Sequence, residues 1–141
     1  MTEIVERQAL LRNNLTAFTE KVFSHVDPGA KYLPNWHIGL IAEYLKACQN
    51  GDIQRLIINI PPRHLKSISV AVAFPAWLLG HNPSEQIMCA SYSQTLSESH
   101  SLNCRLVVES DWYQWLFPDT RIVDDQNTKR KFVTTQRGLL S

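Results

Sequence analysis

Apolar residues near the amino terminus fall at Ile4, Leu11, Leu15, Phe18 and Val22. Those spacings are the ones that bring side chains to one face of a helix, and they predict an amphipathic helix over residues 3–24. Asp27-Pro28-Gly29 is a turn sequence that ends it. A second helix is expected from Asn35, just after Pro34, with Trp36, Leu40, Ile41, Tyr44 and Leu45 on one face and Asn50-Gly51 as its stop.

Beyond residue 54 the pattern changes. Leu56-Ile57-Ile58-Asn59-Ile60 is a short β-branched run that predicts a strand covered on both faces, closed by Pro61-Pro62, which offer the ladder no N–H. From Lys66 the chain reads as helical through Ile68, Val70, Val72, Phe74, Trp77 and Leu78, and Pro75 is expected to kink that helix or end its regular part. Residues 86–92, QIMCASY, predict a second strand, and a helix follows from about Gln94 to Glu109. Asp111 to Phe117 reads as a short helical turn and residues 131–135 as a last, weaker strand. Strand–helix–strand–helix order predicts an α/β fold with a parallel sheet and flanking helices, preceded by an amino-terminal helix.

Composition narrows the class. The chain has 141 residues, 44% of them hydrophobic and 19% charged, which predicts a folded domain rather than a disordered segment. Its formal net charge of +1 gives no global field for nucleic acid. Cys48, Cys89 and Cys104 form no CxxC pair, so neither a zinc site nor a disulfide framework is expected, and Cys89, in its apolar run, reads as an inert thiol. No apolar stretch approaches the ~18 residues of a membrane span, and residues 1–20 do not read as a signal peptide. The cytoplasm is therefore the expected compartment.

Candidate chemistry centres on residues 60–67, Ile60-Pro61-Pro62-Arg63-His64-Leu65-Lys66-Ser67. In the phosphate-binding loop G-x-x-x-x-G-K-[ST], backbone N–H groups cradle phosphate, the lysine reaches the β and γ oxygens and the hydroxyl binds Mg²⁺. The Lys66-Ser67 pair is present, after a predicted strand and before a predicted helix, but neither glycine is. Pro61-Pro62 can impose a rigid turn in place of the first. Leu65 puts a Cβ where backbone normally approaches phosphate, although its side chain can point back into the core. Arg63 and His64 add donors suited to a polyphosphate. An ordinary Lys-Ser at a helix start is the plainer alternative.

The string PPRHLKS, with PNWH upstream, MCASYSQTLSESHS and LFPDTRI downstream and FVTTQRG last, resembles the ATPase region of the large terminase subunits of tailed bacteriophages and prophages. The resemblance runs from about Tyr32 to Ser141, and Leu65 stands where that family commonly has glycine. It implies an amino-terminal helical segment, residues 1–31, and an incomplete ATPase domain, residues 32–141, without the nuclease domain. ATP and Mg²⁺ would be the cofactors. Lys66 would bind phosphate and Ser67 the Mg²⁺, with Pro62, Arg63, His64 and Leu65 in the loop. Trp36 and His37 would fall in the adenine-contacting segment, where an indole offers a stacking face; core packing is the other reading of Trp36. The implied partners are viral double-stranded DNA, a portal protein and a small terminase subunit.

Ser91, Tyr92 and Ser93 end the second predicted strand, where α/β folds place ligand-facing groups, and Ser93 is equally suited to cap the next helix. Lys129-Arg130-Lys131 can meet DNA phosphate or simply be a solvated run. His25, His81 and His100 show no metal-like spacing. Asp124-Asp125 lacks the apolar strand that a Walker B pair requires, so no hydrolytic carboxylate is identified and the chain is expected to be inactive alone. A non-catalytic prophage remnant or interaction module, and an unrelated P-loop ATPase or kinase, are the alternatives.

Overall fold

Asn14 interrupts the first apolar periodicity, so two helices replace the single one expected. In the computed structural model, which describes residues 2–29, 32, 36–60, 68–91, 93–122, 132–133 and 139–140, α1 spans Thr2–Asn13 and α2 spans Leu15–Val26. The Asn14 side chain accepts a hydrogen bond from the Ala17 N–H at 3.1 Å and so caps α2. The two helices differ sharply in burial. α1 buries Leu11 alone, whereas α2 buries Leu15, Phe18, Thr19, Val22 and Phe23.

Helix α3 spans Trp36–Gln49 and stops where Asn50-Gly51 predicted. Gly51 takes φ of +84°, which an L side chain resists, and its N–H and that of Asp52 bond back to the carbonyls of Cys48 and Ala47. The face of α3 turned inward is Ile38, Ile41, Ala42 and Leu45. Trp36, Leu40 and Tyr44, expected on that face, are exposed.

After residues 61–67, which lie outside the described residues, the chain winds as a π-helix over Ile68–Ala73 and only then as α4 over Phe74–His81. Pro75 sits in the first turn of α4, where its missing N–H costs least. Regular winding therefore begins at Pro75 rather than ending there. β1 is only Gln86–Ile87. α5 runs Gln94–Glu109, the predicted bounds, with the Ser93 hydroxyl accepting from the Leu96 N–H at 3.3 Å. Ser93 is thus a helix cap. Ser93→Ala is expected to cost about 1 kcal/mol of unfolding free energy, read by urea titration; no change would mean that the cap is not made in solution.

α6, Asp111–Leu116, closes the helical part. β2 is Phe132–Val133 and β3 is Leu139–Leu140. β3 lies between the other two, parallel to β1 with Gln86 opposite Leu139, and antiparallel to β2 with Phe132 opposite Leu140.

The expected parallel-sheet α/β fold is corrected by this arrangement. The described residues are mostly helical, and their ladders are two residues long and mixed in direction. Residues 56–60, read as a strand covered on both faces, join no ladder. They take neither helix nor strand, and burial alternates along them: Leu56, Ile58 and Ile60 pack on the core while Ile57 is 84% exposed. Ile87 and Cys89 pack inward in the same way around Met88, which is 85% exposed. One face of each segment is covered. The other is not.

The core is helical. Phe18 of α2 is fully buried and meets Trp77, Trp112, Tyr113 and Phe117 edge-on at centroid separations of 5.5 to 6.3 Å. Two polar groups within it bond to backbone: the Tyr113 hydroxyl donates to the Ala76 carbonyl at 2.6 Å and the Thr120 hydroxyl to that of Leu79 at 2.8 Å. Among the described residues, no helix is long and apolar enough to cross a membrane.

Candidate functional site

The loop that carries the candidate chemistry, with Pro62, Arg63, His64, Leu65, Lys66 and Ser67, lies outside the described residues. Its flanks are described. An apolar segment that joins no ladder leads in through Ile60 and a π-wound segment leads out from Ile68, so the strand that precedes a phosphate loop in the standard succession is not formed here. Two residues beyond Ser67, Ser69 is 3% exposed and its hydroxyl has no hydrogen-bond partner. A buried hydroxyl without a partner is uncommon, and here it adjoins the loop.

Trp36 and His37 open α3. Trp36 is 76% exposed and its ring stands perpendicular to that of His37, with centroids 6.3 Å apart. Core packing is therefore not the role of Trp36. At the end of the second apolar segment the Ser91 hydroxyl donates to the Ser93 carbonyl and pairs with Ser97, each at 2.8 Å, so both described serines serve the start of α5. Tyr92, the basic run Lys129-Arg130-Lys131 and the Asp124-Asp125 pair lie outside the described residues.

The three cysteines are free. Burial raises the Cys89 thiol above its ordinary range and pushes fully buried Cys104 further still, so neither supplies a thiolate near neutrality. Among the described residues no cluster of three or more His, Cys, Asp or Glu side chains is placed to hold a metal ion.

One titratable centre was not singled out by spacing. His81, the last residue of α4, packs on Trp77 at a centroid separation of 4.5 Å and on Phe117 at 5.2 Å. It borders a cleft of about 380 Å³ shared with Cys48, Gln49, Phe74, Leu78, Asn82 and Glu85. Partial burial holds the His81 imidazole below its ordinary value, and Arg12 and Lys46 lower it further against an opposing hydrogen bond to the Arg12 backbone. Partial burial lowers His100 as well. The only sequence signal was the Trp77–His81 interval of one helical turn, which marks neighbours without telling what else packs on them.

Comparison with family models, with curated proteins and with solved structures finds no match to this chain.

Proposed function

We propose that the chain binds the phosphates of a nucleoside triphosphate at residues 61–67, as its resemblance to large terminase subunits implies. The observation that carries this reading is the string PPRHLKS set between an apolar segment and a helical one. The unpartnered Ser69 hydroxyl beside the loop and the exposed Trp36 indole at the start of α3 support it. In this reading Lys66 binds the terminal phosphates, Arg63 and His64 add donors, and Pro62 stiffens the turn. Leu65 turns its side chain away from the phosphates, and Trp36 with His37 contacts the base. Mg²⁺, held through Ser67, would neutralise phosphate charge when bound. The proposed activity is ATP binding within a DNA-packaging assembly, with viral double-stranded DNA, a portal protein and a small terminase subunit as partners. It stops short of hydrolysis, for which no carboxylate has been identified.

A second reading, a non-catalytic interaction module, is favoured by the uncovered apolar side chains Ile57 and Met88 on the two apolar segments. One titration separates the two. Calorimetry with ATP and Mg²⁺ is expected to show Lys66→Ala binding at least about tenfold more weakly than the parent chain, the loss of one charge-assisted contact. Circular dichroism of the variant checks that its helices are retained. Equal affinities, or binding by neither protein, would remove the phosphate loop and leave the interaction module.

A further inference from the structure

Ser69 is buried in the π-wound segment, and its hydroxyl has no hydrogen-bond partner. Two other helical hydroxyls show the usual solution. Thr19, equally buried, donates to the Leu15 carbonyl four residues before it at 2.8 Å, and exposed Ser24 donates to that of Glu20 at 3.1 Å. At Ser69 that solution fails. The described winding begins at Ile68, so the carbonyls three and four residues back belong to Lys66 and Leu65 of the candidate loop. A π turn also pairs residues five apart instead of four, which displaces the carbonyl four back from its α-helical position.

Two other buried polar atoms among the described residues lack a partner, both on α6. Gln114 Oε1 belongs to an amide already anchored through Nε2 to the Val108 and Thr120 carbonyls at 2.6 and 2.9 Å. Trp112 Nε1 belongs to an indole packed edge-on against Phe18. Ser69 is the one that adjoins the loop in sequence.

We propose that Ser69 is a positioning residue for the phosphate loop, its hydroxyl gaining a loop carbonyl as acceptor when nucleotide binds; the inference rests on the nucleotide reading above.

A buried hydroxyl without an acceptor has lost water and gained nothing, so it raises the energy of the free protein. Binding offers the missing partner by simple peptide geometry. In a phosphate cradle the N–H groups at the helix start point at the ligand. Those of Lys66 and Ser67 share peptide planes with the carbonyls of Leu65 and Lys66, and in a trans peptide the two groups point opposite ways. Turning these N–H groups toward phosphate therefore turns the two carbonyls toward the segment that carries Ser69. The phosphate itself is not the acceptor, because the hydroxyl is sealed from solvent. A bond made only in the bound state strengthens binding and adds nothing to the free protein, so removing the hydroxyl moves stability and affinity in opposite directions.

The test pairs thermal unfolding of the free full-length chain with calorimetric titration of ATP and Mg²⁺, on the parent, Ser69→Ala, Ser24→Ala and Lys66→Ala. In the free chain Ser69→Ala is expected to raise the thermal midpoint by more than Ser24→Ala, the exposed helical serine that measures the gain in helix propensity. With nucleotide, Ser69→Ala is expected to bind about three- to tenfold more weakly, the loss of one hydrogen bond, while Ser24→Ala keeps the parent's affinity. A purely structural serine would move both readouts together. A free chain that Ser69→Ala destabilises, or stabilises no more than Ser24→Ala does, would mean that the hydroxyl already has a partner. Unchanged affinity would mean that binding supplies none. Either result overturns the inference and leaves the nucleotide reading standing, provided that Lys66→Ala binds more weakly than the parent. A parent that does not bind, or equal binding by Lys66→Ala, removes both.

Discussion

Replacing Phe18 with alanine is expected to lower the unfolding free energy by about 3–5 kcal/mol, the range for deleting a large buried aromatic side chain. Phe18 is fully buried and is the ring on which four other aromatic rings converge edge-on, from α4, from α6 and from the residue after it. Alanine would leave a cavity bounded by Trp77, Tyr113 and Phe117, each held in place by other contacts, so the site cannot close around the smaller side chain. Edge-on contacts between rings add to the loss beyond buried area. Since a domain is typically stable by only about 5–15 kcal/mol, this one change is expected to move a large fraction of the chains to the unfolded state. Urea titration followed by tryptophan fluorescence measures it. Ile57→Ala, on a side chain 84% exposed, is the reference and should change little. Similar midpoints for the two variants would mean that Phe18 is not at the centre of the core.

Gly80→Ala is expected to destabilise by up to about 2 kcal/mol, against the direction of helix propensity. In a helix interior alanine is preferred to glycine by about 1 kcal/mol. At Gly80, however, an added Cβ would lie 2.6 Å from the Phe117 ring, which is itself buried and packed against His81, Tyr113 and Phe18. Overpacking of that kind costs roughly 1–3 kcal/mol and cancels the propensity gain. Gly39 supplies the converse. It lies within α3, and a Cβ there meets nothing within 4 Å, so Gly39→Ala is expected to stabilise by about 0.5–1 kcal/mol. The same substitution should therefore shift the thermal midpoint in opposite directions at the two sites. Stabilisation at both would show that the Phe117 ring moves aside at little cost.

Local chemistry was the readable part of the chain. Ser93 ahead of an apolar periodic run marked the start of α5, and Asn50-Gly51 marked the end of α3, because each motif satisfies orphaned helix-end groups within a few residues of sequence. Asn14 carried a similar signal inside a run that stayed in phase on both sides, so the periodicity concealed the break. For the candidate site, the helical character of the segment after residues 61–67 was legible, the strand expected before them was not formed, and the choice that Trp36 faced between stacking and packing was visible. Its outcome was not. Trp36, Leu40 and Tyr44 share one stripe of α3 as regularly as Ile38, Ile41 and Leu45 share another, and the choice between them depends on where α2 and the π-wound segment lie.

By itself, then, the sequence determined the positions of the helices and most of their ends, since hydrogen bonding along the chain, side-chain period and capping act over a few residues. It also supplied the loop string on which the proposed nucleotide site rests. Packing decided the rest. Whether residues 56–60 join a sheet depends on neighbours far away in sequence, and the described ladders bring β1 to β3 instead, leaving Ile57 in water. The aromatic centre at Phe18 and the setting of His81 between Trp77, Phe117, Arg12 and Lys46 likewise join side chains from α1, α2, α3, α4 and the end of α6. A periodic pattern fixes the angle at which a side chain leaves its own helix. What lies at that angle is set by how the helices pack, and that placed His81 against Trp77 and Phe117 where no spacing rule pointed.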